Sequence, residues 1–197
     1  MVKMFVNERQ IKSRRFELNS AALGHIIGVG EGATIFIRPM DQDYKKFSTR
    51  MRLYTKILFK EPKSRDEDAL IVLFVGDCIL WLQKHSKMLE RCQVMKVMPN
   101  GSVELMLIDS GRRAYVAPDS RSFYKIPLQL RQFPPFAYAF ESVNTNGERT
   151  VAEMVDKLRN VAKNLMNSSS RCIFSFIKRT PLNAVLDLYG GVWKPIN

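Results

Sequence analysis

Cysteine is scarce in this chain of 197 residues: Cys78, Cys92 and Cys172 are odd in number and widely separated, with no Cys-x-x-Cys pair. That argues against a disulfide framework and for reduced, mostly buried thiols in a cytosolic protein. Only two histidines occur, His25 and His85, and neither stands at ligand spacing from a cysteine or from the other. A zinc site is therefore not expected, and no metal or cofactor is called for. Long apolar runs are missing too. The longest lies at Leu70–Val75, far short of the ~18 residues that span a bilayer, so no membrane partner is expected. No apolar stretch follows Met1-Val2-Lys3 and residues 7–15 are strongly polar, so no secretory signal is expected and the localisation expected is cytoplasmic. No Ser/His/Asp or Cys/His set stands in a catalytic motif.

A block of like charge is also absent, although the chain carries a formal +12 from 31 Lys+Arg against 19 Asp+Glu. Residues 1–68 hold 14 basic and 9 acidic groups, residues 69–144 hold 9 and 6, and residues 145–197 hold 8 and 4. The excess of +5, +3 and +4 is spread along the chain. A smeared positive surface favours solubility and acidic partners over a dedicated nucleic-acid face. With 46% hydrophobic residues and 10% aromatics, the chain has ample material for a core and is not a disordered or low-complexity sequence.

The residues present spell out alternating short elements. Residues 21–38 read as two strands around a turn punctuated by Gly28, Gly30 and Gly32. These glycines do not form a phosphate loop, for there is no G-x-G-x-x-G, no Lys-Ser/Thr and no helix directly after them. Asp41 to Lys60 is expected to be a helix, since Tyr44, Phe47, Met51, Tyr54 and Leu58 recur at spacings of 3 and 4. Its acidic start and basic end suit the helix dipole, and Lys45, Lys46, Arg50 and Arg52 form a solvated basic face. After the charged linker 61–68, short strands are expected at Leu70–Val75, Asp77–Gln83, Arg91–Met98, Val103–Asp109 and Ala114–Ala117. They are joined by tight turns at Pro99-Asn100-Gly101-Ser102 and Asp109-Ser110-Gly111. Strands so short and turns so frequent suggest a small, strongly bent barrel. Phe136–Val143 is a further extended segment. Thr150 to Met166 is a helix opened by a Thr150/Glu153 capping box and ended by Asn167-Ser168-Ser169-Ser170, and strands follow at 172–177 and 184–189.

The stretch from Gly76 to Gly111, GDCILWLQKHSKMLERCQVMKVMPNGSVELMLIDSG, resembles the Tudor domain. The Tudor pattern runs G-D-x-C-x-A-x-Y-S-E-D-G-x-W-Y-R-A-x-V and, after a turn, F-I-D-Y-G-N. The match is ungapped from Gly76-Asp77 to Val94 and resumes at Ile108-Asp109-Ser110-Gly111. The flanking β-β-α and α-β-β segments look like the split staphylococcal-nuclease-like (OB-type) half of an extended Tudor domain, as in piRNA-pathway Tudor proteins. The implied fold class is mainly β with two helices (α+β), a Tudor SH3-like barrel inserted into an OB-type fold. Implied boundaries are an N-terminal extension at 1–20, the OB-like half at 21–68 and 145–197, and the Tudor barrel at 69–144.

What the resemblance implies about function is a non-enzymatic binding module whose aromatic cage takes methylated arginine by cation–π contact. Every cage position departs from that pattern. The positions are Gln83, Glu90, Leu107, Ser110 and Arg112, where the family has aromatic residues and a hydrogen-bonding Asn. Leu107 and Ser110 offer no π face, and Arg112 would repel a cationic guest. Glu90 is a carboxylate able to take an unmodified guanidinium bidentately. Asp109 is expected to cap its turn, and Trp81 and Tyr138 to pack the interior. The implied partner is an Arg-containing tail of a Piwi/Argonaute-like protein, held in the cleft between barrel and OB-like half with no need of methylation, in a perinuclear germ granule (nuage). Self-association without arginine binding is an alternative. Single-stranded RNA is a secondary one, for which Phe36 and Phe176 would have to serve as stacking platforms. A nuclease is not expected, because residues 21–40 hold Glu31 and Arg38 but no Asp, and 172–190 hold only Asp187.

Overall fold

The computed structural model describes residues 11, 15–32, 34–60, 72–83, 86–117, 123–143, 152–181 and 187–196. The chain forms two compact units. The first holds the described parts of Lys45–Leu107 and Arg113–Pro134, and the second those of Ser13–Tyr44, Ile108–Arg112 and Pro135–Asn197.

Strands β3 (Cys78–Gln83), β4 (Met88–Val97), β5 (Val103–Leu107), β6 (Arg113–Val116) and β7 (Phe123–Tyr124) build the first unit's sheet, in the order β6-β5-β4-β3-β7. All its neighbouring strands are antiparallel. Alternating apolar side chains turn one face inward: Ile79, Cys92, Val94, Val103, Leu105, Leu107 and Phe123 form its core, with Trp81 packed against them. A bulge between Val94 and Lys96 breaks the register of β4 on β5 and bends the sheet. The Asn-Gly turn closes this hairpin as expected. Gly101 takes φ 83°, Met98 N–H donates to Ser102 O at 2.8 Å, and Ser102 N–H donates to the Asn100 side chain at 3.0 Å.

The apolar run expected as a strand at Leu70–Val75 is not one where it is described. Residues 72–74 have no regular structure, and Val75-Gly76 is a turn. The cause is local. Gly76 takes φ 93°, and Asp77 accepts the Phe74 N–H on its carboxylate at 2.9 Å while donating its own N–H to Phe74 O at 3.0 Å. That carboxylate cap favours the turn over a further rung of sheet.

Helix α1 (Gln42–Lys60) begins where the Asp41 carboxylate accepts the Asp43 N–H at 2.8 Å, and buries Phe47, Met51 and Leu58. A one-turn helix that the sequence does not announce, α2 (Leu128–Arg131), follows Pro127 and buries Leu130. Between these two helices and β4 lies Arg91, which is fully buried. Its guanidinium donates to the carbonyls of Leu130 (3.0 Å), Phe133 (2.7 Å) and Pro134 (2.8 Å) and sits 4.2 Å above the Phe47 ring.

In the second unit, β1 (Ala21–Val29), β2 (Thr34–Pro39), β8 (Tyr138–Ser142), β10 (Asp187–Pro195) and β9 (Arg171–Pro181) close into a barrel in the order β1-β2-β8-β10-β9. The glycine-punctuated segment is indeed the β1–β2 hairpin, with Gly32 at φ 59° in its turn. β8 falls inside the stretch 69–144, yet its ladder runs antiparallel to β2 and parallel to β10. Ile26, Ile35, Ile37, Phe140, Phe174 and Tyr189 fill the barrel, and α3 (Ala152–Asn167) covers it with Ala162, Leu165 and Met166. The Thr150/Glu153 capping box lies outside the residues and side chains described, whereas the helix end is as read: Ser168 N–H donates to Asn164 O and Ser170 N–H to Leu165 O.

Three outcomes follow from this packing. Replacing Arg91 with Met leaves three buried carbonyls without their donor, so urea unfolding should show a loss of about 3–5 kcal/mol, only partly recovered by Arg91→Lys, which lacks the planar fork. Gly111 has φ 74°, and a Cβ there would lie 2.1 Å from the Phe36 ring. Gly111→Ala should therefore cost at least ~2 kcal/mol, and adding Phe36→Ala should cost less than the sum of the two single changes. Finally, burial pushes the Cys78 thiol up to about 11 from 9.0 and also raises that of Cys172, and Cys92 is fully enclosed. A thiol reagent at pH 8 should label none of them in the native protein and all three in urea.

Candidate functional site

The cage-equivalent positions fall in both units, and each is taken within its own. At the end of β3, Gln83 stands opposite Met88, and Glu90 on β4 stands opposite Trp81. The Gln83 amide donates through Nε2 to Glu90 Oε2, while its Oε1 accepts from Ser86 Oγ at 3.0 Å. This link orients the half-buried Glu90 carboxylate. The β3–β4 hairpin determines it directly, since two rungs of ladder separate the residues and antiparallel pairing puts their side chains on one face.

Leu107, the last residue of β5, is 3% exposed and belongs to the sheet's core. It fills the interior opposite Cys92. Trp81 is half-buried against that same core and pairs with Phe123 on its other side. The Leu107 isobutyl group is thus closed to a guest, while the Trp81 ring keeps part of its surface exposed.

In the second unit, Arg112 is exposed and its Nε donates to Ser110 Oγ at 3.4 Å. The Ser110 hydroxyl is too small to stack on anything, and the neighbouring Arg112 makes this corner cationic. Asp109 anchors the turn. Its Oδ1 accepts the Phe136 N–H at 3.2 Å, and its carbonyl accepts Arg38 Nη2 at 3.0 Å. Arg38 lies 4.1 Å over the Tyr44 ring, and Tyr44 meets Phe136 edge-on at 5.2 Å. Tyr138 is 4% exposed in the barrel core, edge-on to Phe16 at 4.8 Å. Phe176, a conceivable stacking platform, is fully buried and stacked on Phe16 at 4.4 Å, and Phe36 is half-buried over Gly111. Arg38, named for phosphate chemistry, is committed to the Asp109 carbonyl and the Tyr44 ring.

Arg91 and the Arg38–Tyr44–Asp109 cluster organise these positions; sequence reasoning gave such a role to Asp109 and none to Arg91, Arg38 or Tyr44. The signal for Arg91 was its place at the Arg of the W-Y-R pattern. Its carbonyl partners, 39 to 43 residues away, carry no sequence mark. Among the described residues, no group of three or more His, Cys, Asp or Glu could hold a metal ion, and no helix is long and apolar enough to cross a membrane.

No family model matches the chain, and no curated protein matches it by sequence. Solved structures do match. Extended Tudor domain TD3 of mouse TDRD1, in complex with a MILI peptide containing dimethylarginine, superposes with a TM-score of 0.70 at 11% identity, covering 94% of this chain and 92% of that one. The extended Tudor domain of human TDRD1, in complex with a symmetrically dimethylated peptide, gives 0.68 at 12%, covering 92% and 83%. That of Drosophila melanogaster Papi gives 0.66 at 13%, covering 87% and 86%. A point mutant of it is solved with Piwi N-terminal peptides bearing symmetrically dimethylated or unmethylated arginine. A five-stranded antiparallel sheet and a closed five-stranded barrel in these strand orders, and such coverage by these structures, lead to one architecture: the chain has the fold of an extended Tudor domain.

Proposed function

We infer that the protein is a non-enzymatic interaction module that takes an arginine-containing segment of a Piwi/Argonaute-like partner without dependence on arginine methylation. The observation that carries this reading is the Gln83–Glu90 pair. Where the family pattern puts two aromatic residues, this chain has a carboxylate held in place by an amide. A guanidinium fork matches a carboxylate with two parallel charge-assisted hydrogen bonds. Methylation removes N–H donors from that fork, and none of the cage-equivalent positions carries a ring to stack on the methyl groups. Ser110 and Arg112 add no π surface, and Leu107 is occupied in the core. Among solved neighbours, Papi is crystallised with both methylation states of a Piwi peptide, which supports this partner class. The corresponding biological role is a scaffold in piRNA and germ-granule assembly in the cytoplasm, with the first unit, which carries Gln83 and Glu90, as the peptide-binding module and the second as its OB-like companion.

Calorimetric titration with matched unmodified and symmetrically dimethylated Piwi N-terminal peptides tests it. The unmodified peptide should bind at least as tightly, and Glu90→Lys should weaken it by roughly tenfold or more, the worth of a hydrogen-bonded charge. A clear preference for the dimethylated peptide overturns the reading. Unchanged capture by Glu90→Ala would instead favour a scaffold that binds no arginine.

A further inference from the structure

The outward face of α1 is not the uniformly solvated basic surface that its charges suggest. Leu53 is 59% exposed, and Ile57 and Phe59 are 38% and 39% exposed. Residues 46, 50, 53, 57 and 60 follow one another at helical spacings of 4, 3, 4 and 3, so they share a stripe about 20 Å long. Along it, Lys46 and Arg50 precede the Leu53–Ile57 pair and Lys60 follows. Beside the stripe runs a groove of about 660 Å³, lined by Arg50, Leu53, Tyr54 and Ile57 from α1 and by Pro127 and Leu130 at α2. Its remaining lining residues, Gln129 and Gln132, are neutral, so among the described residues no carboxylate lines it. The Arg50 guanidinium sits over the Phe133 ring at 5.2 Å and donates to Gln129 O at 3.4 Å, which braces the rim between the two helices.

An apolar groove with a cationic rim selects an occupant that brings both aliphatic anchors and negative charge. We propose that the α1–α2 groove is a second docking site, separate from the Glu90 position, for an acidic amphipathic helix of a partner protein. The Leu53–Ile57 pair would receive its apolar anchors, and Lys46, Arg50 and Lys60 its carboxylates. The helix-in-groove mode places anchors at i, i+3 or i+4 and i+7, which matches the stripe's length and spacing. RNA fits less well, because bases seek exposed rings and the only ring among the lining residues is the half-buried Tyr54. A second copy of this +12 chain would bring a surface of the same sign.

Fluorescence anisotropy tests this with a labelled helical peptide of ~16 residues carrying Leu at i, i+4, i+7 and i+11 and Glu at its exposed positions. A matched peptide with Lys for Glu and a single-stranded oligouridine serve as comparison probes. The Glu peptide should bind and the Lys peptide should not. Leu53→Ser with Ile57→Ser should weaken binding by roughly tenfold or more, as should Lys46→Glu with Lys60→Glu, whereas Glu90→Lys should leave it unchanged. All four replaced positions on α1 are exposed, so circular dichroism and melting should match the parent protein. Failure of the Glu peptide to bind, equal binding by the Leu53/Ile57 double variant, or tighter binding of oligouridine with no dependence on Leu53 and Ile57 would each overturn the proposal. The Glu90 variant separates this outcome from that of the arginine-peptide titration.

Discussion

A single buried cation organises the first unit. A guanidinium taken out of water is unfavourable by several kcal/mol unless its donors are met and its charge is stabilised. Arg91 meets that condition with three main-chain carbonyls and the face of Phe47. The carbonyls belong to Leu130, Phe133 and Pro134, a segment with one turn of helix and little regular structure of its own. A loop of that kind has buried backbone acceptors that no sheet satisfies, and Arg91 satisfies them. The same contact brings Phe47 of α1 against β4. The path of residues 128–134, the seating of α1 and the floor of the α1–α2 groove thus share one cause.

The second unit is held differently, by shape. Its barrel is filled with aromatic rings that meet mostly edge-on: Phe140 with Phe174 and Phe176, and Tyr189 with Phe176 and Tyr138. Such a core tolerates little change in volume. Glycine appears where even one methyl group would collide. Gly191 would place a Cβ 1.9 Å from Ser175 O, and Gly111 would place one inside the Phe36 ring. Aspartate at 109 completes the corner by holding the Phe136 amide. The I-D-x-G signature therefore has a structural explanation that does not involve a ligand.

The proposed arginine site differs in chemistry from an aromatic cage. An aromatic cage rewards a soft, methylated cation; a carboxylate steered by an amide rewards a guanidinium with all its donors intact. The docking site proposed on α1 has the opposite preference, since its cations, set around two exposed aliphatic residues, suit an acidic partner.

Much of the architecture was legible in the sequence because it rests on local rules. The 3–4 spacing of Tyr44 to Leu58 specified α1, Asn100-Gly101 specified a hairpin, and the three glycines after Ile27 read as a turn and not a phosphate loop. That Gln83, Glu90, Leu107, Ser110 and Arg112 are not aromatic was also legible, because it is a matter of residue identity alone. Tertiary structure decided what depends on partners distant in the chain. It turned the apolar run before Gly76 into a capped turn, gave β8 to the barrel of β2 and β10, and enclosed Leu107 and Tyr138 in cores. It also set Arg91 against carbonyls about forty residues away. Sequence period determines which face of an element is apolar, but the choice of what covers that face is made by packing, whose gains depend on contacts that close only when the whole chain folds.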